Sequence, residues 1–178
     1  MKLLLVYGRL RDGGAIDAVT ESLRQSGVET EIFSPLKTED LLCSGCGACR
    51  GAGMCVADPR GKEFLKAAAD CDALLLIAGG GLFGLDVDMK NLLERAASLA
   101  QRRDGDPPAG KRAAALLFCR GSGRKTADQM AALLRKLGLS LPESGGLPVL
   151  APDSPEKEQA LCALAKRLTE YGEQETSK

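Results

Sequence analysis

The chain contains no histidine and no tryptophan. Without an imidazole it lacks the side chain that most often serves as base, proton shuttle or catalytic zinc ligand, which excludes Ser-His hydrolases, Cys-His proteases and most catalytic zinc sites. Aromatic residues of any kind are scarce, with two tyrosines and four phenylalanines. Net charge is also missing: 24 basic residues balance 24 acidic ones. No block of like charge gives the chain an electrostatic pull toward nucleic acid or an anionic membrane. Long apolar runs are absent as well. The opening run from Leu3 to Tyr7 stops at Gly8-Arg9-Leu10-Arg11, too short for the h-region of a signal peptide, and no other segment approaches membrane-spanning length. The expected compartment is a reducing cytoplasm, where clustered thiols are metal ligands or redox centres more often than disulfides.

What is present in quantity is cysteine and glycine, seven and 21 residues respectively. A chain of 178 residues closes a core around a sheet without disulfide staples, so the cysteines are open to other work. Four of them fall in CSGCGACRGAGMC, residues 43–55.

Apolar runs at residues 2–7, 28–33, 73–78, 113–119 and 147–150 read as strands, the third of them broken by Gly79-Gly80-Gly81. Between them, residues 15–25, 59–70, 86–101, 125–136 and 155–171 read as helices. Gly27 stops the first and Pro59 opens the second. Val87, Leu92 or Leu93, and Ala96 form the apolar stripe of the third, with acids early and arginines late, and Ser154-Pro155-Glu156 starts the last. Continuous apolar strands alternating with helices predict a three-layer α/β fold. Its doubly wound, five-stranded parallel sheet would run in the flavodoxin-like order 2-1-3-4-5. Residues 1–172 form one domain in this reading, with an insert at about 34–59 and a frayed polar tail at 173–178. Ligands in such sheets bind beyond the carboxyl ends of the strands, where three glycine-rich loops fall at residues 8–15, 79–85 and 119–124.

The spacing Cys43-x2-Cys46-x2-Cys49-x5-Cys55 is close to the compact run that holds a [4Fe-4S] cubane. Interleaved glycines let the backbone wrap around the sulfurs and aim amides at them. Structural zinc normally takes two separated C-x2-C knuckles, and a redox-active disulfide between neighbours is the other alternative. The cluster is the favoured chemistry. Cys71, Cys119 and Cys162 sit in apolar surroundings and read as small buried hydrophobes, with Cys119 placed where a ligand would pass.

With the cysteine insert after the second strand and the three loops in view, residues 1–150 resemble the NADPH-dependent FMN reductase family, in particular its iron-sulfur flavoprotein branch. The resemblance implies a flavodoxin-like fold, FMN beyond the strand ends, and Cys43, Cys46, Cys49 and Cys55 as ligands of [4Fe-4S]. Where the family's phosphate loop is similar to G-S-P-R-x-x-G-N-T, this chain reads Gly8-Arg9-Leu10-Arg11-Asp12-Gly13-Gly14-Ala15-Ile16. Helix-start amides from Gly13 to Ile16, with Arg9 and Arg11, are the implied phosphate contacts. The second loop, similar to S-P-x-Y-F-G, is Ala78-Gly79-Gly80-Gly81-Leu82-Phe83-Gly84. It implies flavin contacts at Gly80, Gly81, Leu82, Phe83 and Gly84, while Lys90 and Arg95 match the helix that follows. The third, Cys119-Arg120-Gly121-Ser122-Gly123-Arg124, implies contacts at Cys119, Arg120, Gly121 and Gly123.

The implied function is an FMN-dependent oxidoreductase. It would relay electrons between a reduced donor, NAD(P)H or a small redox protein such as ferredoxin, and an acceptor, through FMN and [4Fe-4S]. No catalytic acid or base is assigned, and relatives imply a homodimer or homotetramer. The alternative is a flavodoxin-like module that has lost flavin binding and keeps the cysteines for a metal-binding, electron-carrier or scaffold role.

Overall fold

The computed structural model describes residues 1–8, 13–35, 45–52, 55, 59–81, 84–101, 108–121, 123–141 and 147–175, with backbone alone at Gly13, Arg50 and residues 170–175. In chain order the elements are β1 (Lys2–Tyr7), α1 (Gly13–Gln25), β2 (Glu29–Phe33), α2 (Cys49–Ala52), α3 (Arg60–Ala69) and β3 (Ala73–Gly81). These are followed by β4 (Gly84–Leu85), α4 (Val87–Ala100), β5 (Arg112–Cys119), α5 (Arg124–Lys136), β6 (Val149–Leu150) and α6 (Lys157–Glu175).

The sheet runs β2-β1-β3-β5-β6, all parallel, with β4 folded back antiparallel on β3. Apart from that hairpin this is the expected five-strand order. The register places Leu5 beside Ile32 on one side and Leu75 on the other, and Leu75 beside Ala114. Because side chains alternate along a strand, each strand feeds both faces. Leu3, Leu5, Leu75, Ile77, Ala114 and Leu116 pack under α1 and α6, whereas Leu4, Val6, Leu74, Leu76, Ala115 and Leu117 pack under α3, α4 and α5. Burial on both faces is why these strands read as unbroken apolar runs.

Four expectations need correcting. Gly79-Gly80-Gly81 does not break the third strand. The three glycines continue β3, with Gly79 and Gly80 paired to Phe118 and Cys119 of β5, and Gly80 and Gly81 paired to Leu85 and Gly84 of β4. Neighbouring backbones satisfy the strand's hydrogen bonds, so the missing side chains do not end it. Val87 lies outside the buried stripe of α4, at 54% exposure, because the helix begins at this residue and its first position faces solvent. Met89, Leu92, Leu93, Ala96, Ala97 and Ala100 are buried instead, and the last turn carries no basic residue. Pro155 and Glu156 lie in a turn ahead of α6, with the Glu156 N–H donating to Ser154 Oγ at 3.3 Å. The α6 backbone then stays helical through Gly172 to Glu175, into what the sequence suggested was a frayed tail.

Candidate functional site

In this strand order the chain turns from one half of the sheet to the other between β1 and β3, and the crevice above their carboxyl ends is where such folds place ligands. One side chain organises that crevice. Asp86 caps α4, its Oδ1 accepting the Met89 N–H at 3.0 Å and its Oδ2 the Gly79 N–H at 3.1 Å. Its own N–H donates to the Gly79 carbonyl at 2.9 Å. Gly8, at the end of β1, abuts the same carboxylate: a Cβ added there would lie 3.1 Å from Asp86 Oδ2. Burial pushes the Asp86 carboxyl above its ordinary range, and the N–H groups of Met89 and Gly79 pull part of the way back. On the other side of the turn, Gln129 Oε1 of α5 accepts the Leu85 N–H at 2.9 Å. The second loop is thus pinned at both flanks. The sequence reading named neither Asp86 nor Gln129 as site residues, although an Asp immediately before a helical run is a legible cap signal.

The predicted flavin-loop residues divide by what surrounds them. Arg9, Arg11, Leu82 and Phe83 lie outside the described residues. Gly13, Gly14, Ala15 and Ile16 open α1 at the carboxyl end of β1. The side chains of Ala15 and Ile16 are buried in the α1/α6 core, which leaves only their backbone for a ligand. α1 has no acidic residue in its first turn, so the positive end of its dipole is not neutralised by its own side chains. Among the described residues nothing stands within 4 Å of a Cβ built on Gly79, Gly81 or Gly121, and Gly121 holds φ +90°. Gly80, Gly84 and Gly123 are filled by protein instead. A Cβ on Gly80 would fall 2.6 Å from both Cys119 Sγ and Thr126 Oγ1, one on Gly84 would fall 2.0 Å from Gln129 Oε1, and one on Gly123 would fall 2.4 Å from Val149 Cγ1. Cys119 is accordingly buried at 3% exposure, its thiol covered by Gly80 and Gly123, while Arg120 beside it is exposed.

The insert is held by its ends. The chain leaves the sheet at Phe33 and enters α3 at Arg60, whose guanidinium carbon lies 4.5 Å from the centroid of the Phe33 ring. Phe33 also packs edge-on against Phe64 at 5.7 Å, and Arg60 Nη1 meets Glu63 Oε2 at 3.2 Å. Behind this clamp Gly61 allows α3 to approach α4: a Cβ there would stand 3.0 Å from that of Arg95, a buried arginine at 4% exposure. Within the insert, Gly45 and Gly47 take φ of +70° and +71° on either side of Cys46, a backbone that L-residues rarely adopt. Cys46 is exposed, Cys49 begins α2 and packs against the α3/α4/α5 core, and Cys55 is half-buried. Cys43 lies outside the described residues.

The donor chemistry fits a cluster: soft thiols, no disulfide joining the described cysteines, and glycines placed to bend the chain around them. Among the described residues no three Cys, Asp or Glu side chains converge on one metal position. Also among the described residues, no helix is long and apolar enough to cross a membrane.

No protein-family model matches the chain. An iron-sulfur flavoprotein of Methanocaldococcus jannaschii is 29% identical over 103 residues, covering 56% of this chain and 53% of that protein. The chain therefore spans about half the length of this curated relative. Among solved structures, rubredoxin oxygen:oxidoreductase of Desulfovibrio gigas superposes with a TM-score of 0.65 at 13% identity, over 99% of this chain and 37% of that one. Oxidised flavodoxin 1 of Bacillus cereus gives a TM-score of 0.62 at 16% identity, over 96% of this chain and 98% of that one. The fold is flavodoxin-like.

Proposed function

We propose that this protein binds FMN in the crevice above β1 and β3 and holds a [4Fe-4S] cluster on Cys43, Cys46, Cys49 and Cys55. In this reading it passes electrons from NAD(P)H or a small redox partner to an acceptor. The observation that carries the proposal is the shared location of the two chemistries. The cysteine insert leaves from the carboxyl end of β2, the same end of the sheet at which the glycine-rich loops leave β1, β3 and β5. Likeness to an iron-sulfur flavoprotein supports both cofactors.

A bound flavin supplies exchange between two-electron and one-electron donors. The chain's part is placement. N–H groups at the start of α1 would hold the phosphate, the open faces of Gly79, Gly81 and Gly121 would give close backbone approach, and Arg120 would bring positive charge to the third loop. Asp86 is engaged by two backbone N–H groups, so it holds the loops in place and is not assigned to proton transfer.

Anaerobic purification followed by iron, sulfide and flavin analysis, with absorption spectra before and after dithionite, tests the proposal. The expected result is a coloured protein with flavin bands and a broad absorbance bleached by dithionite. A colourless protein after reconstitution with iron, sulfide and FMN overturns it. The homodimer expected from the resemblance is checked by light scattering on the same sample.

A second reading is favoured by the glycine packing. Gly80, Gly84 and Gly123 serve contacts with Cys119, Thr126, Gln129 and Val149, so their conformational freedom is accounted for without a ligand. In that reading the module carries metal or electrons on its cysteines without flavin. Titration of the protein with FMN separates the two: saturable micromolar binding excludes the second.

A further inference from the structure

At the opposite end of the molecule, beside the amino ends of β3 and β5, a cleft of about 1260 Å³ opens between the last turn of α1 and the body of α6. Ser22, Ser26, Arg112, Ser140, Lys166 and Thr169 are among its lining residues. The alternation of β5 points Ala114, Leu116 and Phe118 into the α1/α6 layer, so Arg112, two residues before Ala114, enters the same layer. Arg112 Nη1 is buried there and has no hydrogen-bond partner among the described residues. A cationic N–H removed from water with no acceptor pays its desolvation cost in full.

Other groups at this end of the sheet have their own partners. Lys111 Nζ donates to the carbonyls of Ala69 and Cys71. The Asp72 carboxylate accepts the Lys2 N–H at 2.7 Å. The end of α1 is closed on itself: Gly27 N–H donates to the Arg24 carbonyl at 3.1 Å, Val28 N–H to the Leu23 carbonyl at 3.0 Å, and Ser26 Oγ to the Ser22 carbonyl at 3.0 Å. Arg112 itself lines the cleft, beside a space larger than ordered water needs and of a size that takes a small metabolite.

We propose that this cleft binds a small molecule through an oxyanion, a carboxylate or phosphate group paired with Arg112. The guanidinium fork matches either group by two parallel hydrogen bonds, which a lysine does not reproduce. The inference is independent of the flavin reading, because the cleft is at the other end of the sheet, and either can fail alone.

The test is a titration of uniformly nitrogen-15-labelled full-length protein with inorganic phosphate and, separately, with citrate, each against sodium chloride of matched ionic strength. The expected result is saturable movement of the Ser26, Gly110, Arg112 and Ser140 amides and of the Arg112 Nε–H signal. The anion that binds more tightly identifies phosphate or carboxylate as the preferred group. Arg112→Gln should weaken binding by about tenfold or more. Arg112→Lys should bind between wild type and Arg112→Gln, and Arg124→Gln, at an exposed position in the first turn of α5, should bind as wild type. Absence of saturable movement with both anions overturns the proposal, as does unchanged affinity in Arg112→Gln. If that variant does not fold, the wild-type titration and Arg112→Lys decide, with wild-type affinity in Arg112→Lys counting against the fork.

Discussion

At the amino end of α4 one carboxylate answers two backbone N–H groups that belong to different elements, Gly79 in β3 and Met89 in the helix it caps. Asp86→Ala leaves both without that acceptor, and the expected loss at neutral pH is about 1–3 kcal/mol by urea denaturation. Its pH dependence has a definite sign. The folded pKa is raised above the ordinary 3.8, so in that interval the native chain holds a proton that the unfolded chain has released. The contribution of this group to stability is therefore fullest below 3.8 and declines as pH climbs through the raised value. Stability curves of wild type and Asp86→Ser across acid and neutral pH should converge as pH rises. Curves that diverge would mean that the bonds to the ionised carboxylate outweigh its burial. Asp86 was legible as a cap. Its second bond, to Gly79, was not, because three consecutive glycines carry no side-chain pattern that marks them as strand.

For the elements, the glycines of β3 show why local pattern misleads. In sequence, three consecutive glycines look like a break, since they carry no side chains and cost chain entropy. In the fold they continue the strand, and Gly80 is glycine because Cys119 and Thr126 already fill its space. Gly80→Ala should therefore cost about 1–3 kcal/mol from overpacking. Combining it with Cys119→Ala should recover part of that loss, as a double-mutant cycle would register; full additivity would deny the contact. The insert depends on a comparable tertiary contact, the Arg60 guanidinium over Phe33. Arg60→Ala should cost about 0.5–1 kcal/mol and speed proteolytic cleavage within residues 34–59 while leaving far-UV circular dichroism unchanged. Equal cleavage rates in both proteins would remove the clamp from the account.

On the scale of the whole molecule, sheet and insert are separable energetically. Among the described residues of the insert, Cys49 packs against one core cluster and Pro35 is buried beside β2, while both faces of the sheet are closed by helices from the rest of the chain. Cys46→Ser with Cys49→Ser should abolish bound iron and sulfide yet retain a cooperative thermal transition. Loss of that transition would mean that metal and fold are one unit, as in small zinc domains.

The sequence by itself determined the layer architecture, the strand order and the thiol-rich insert. Buried parallel strands must be apolar on both faces, and alternation with helices leaves few ways to connect them. Thirteen residues with four cysteines and interleaved glycines likewise declare a soft-metal or redox chemistry by composition alone. Only the tertiary structure decided which glycines face open space and which are filled by protein. It alone joined Asp86 to Gly8 and Gly79, and it alone left Arg112 Nη1 with no partner among the described residues, beside a cleft far from the expected site. These are contacts between residues distant in the chain, and neither the period of a strand nor the spacing of a motif carries information about what the next element brings against it.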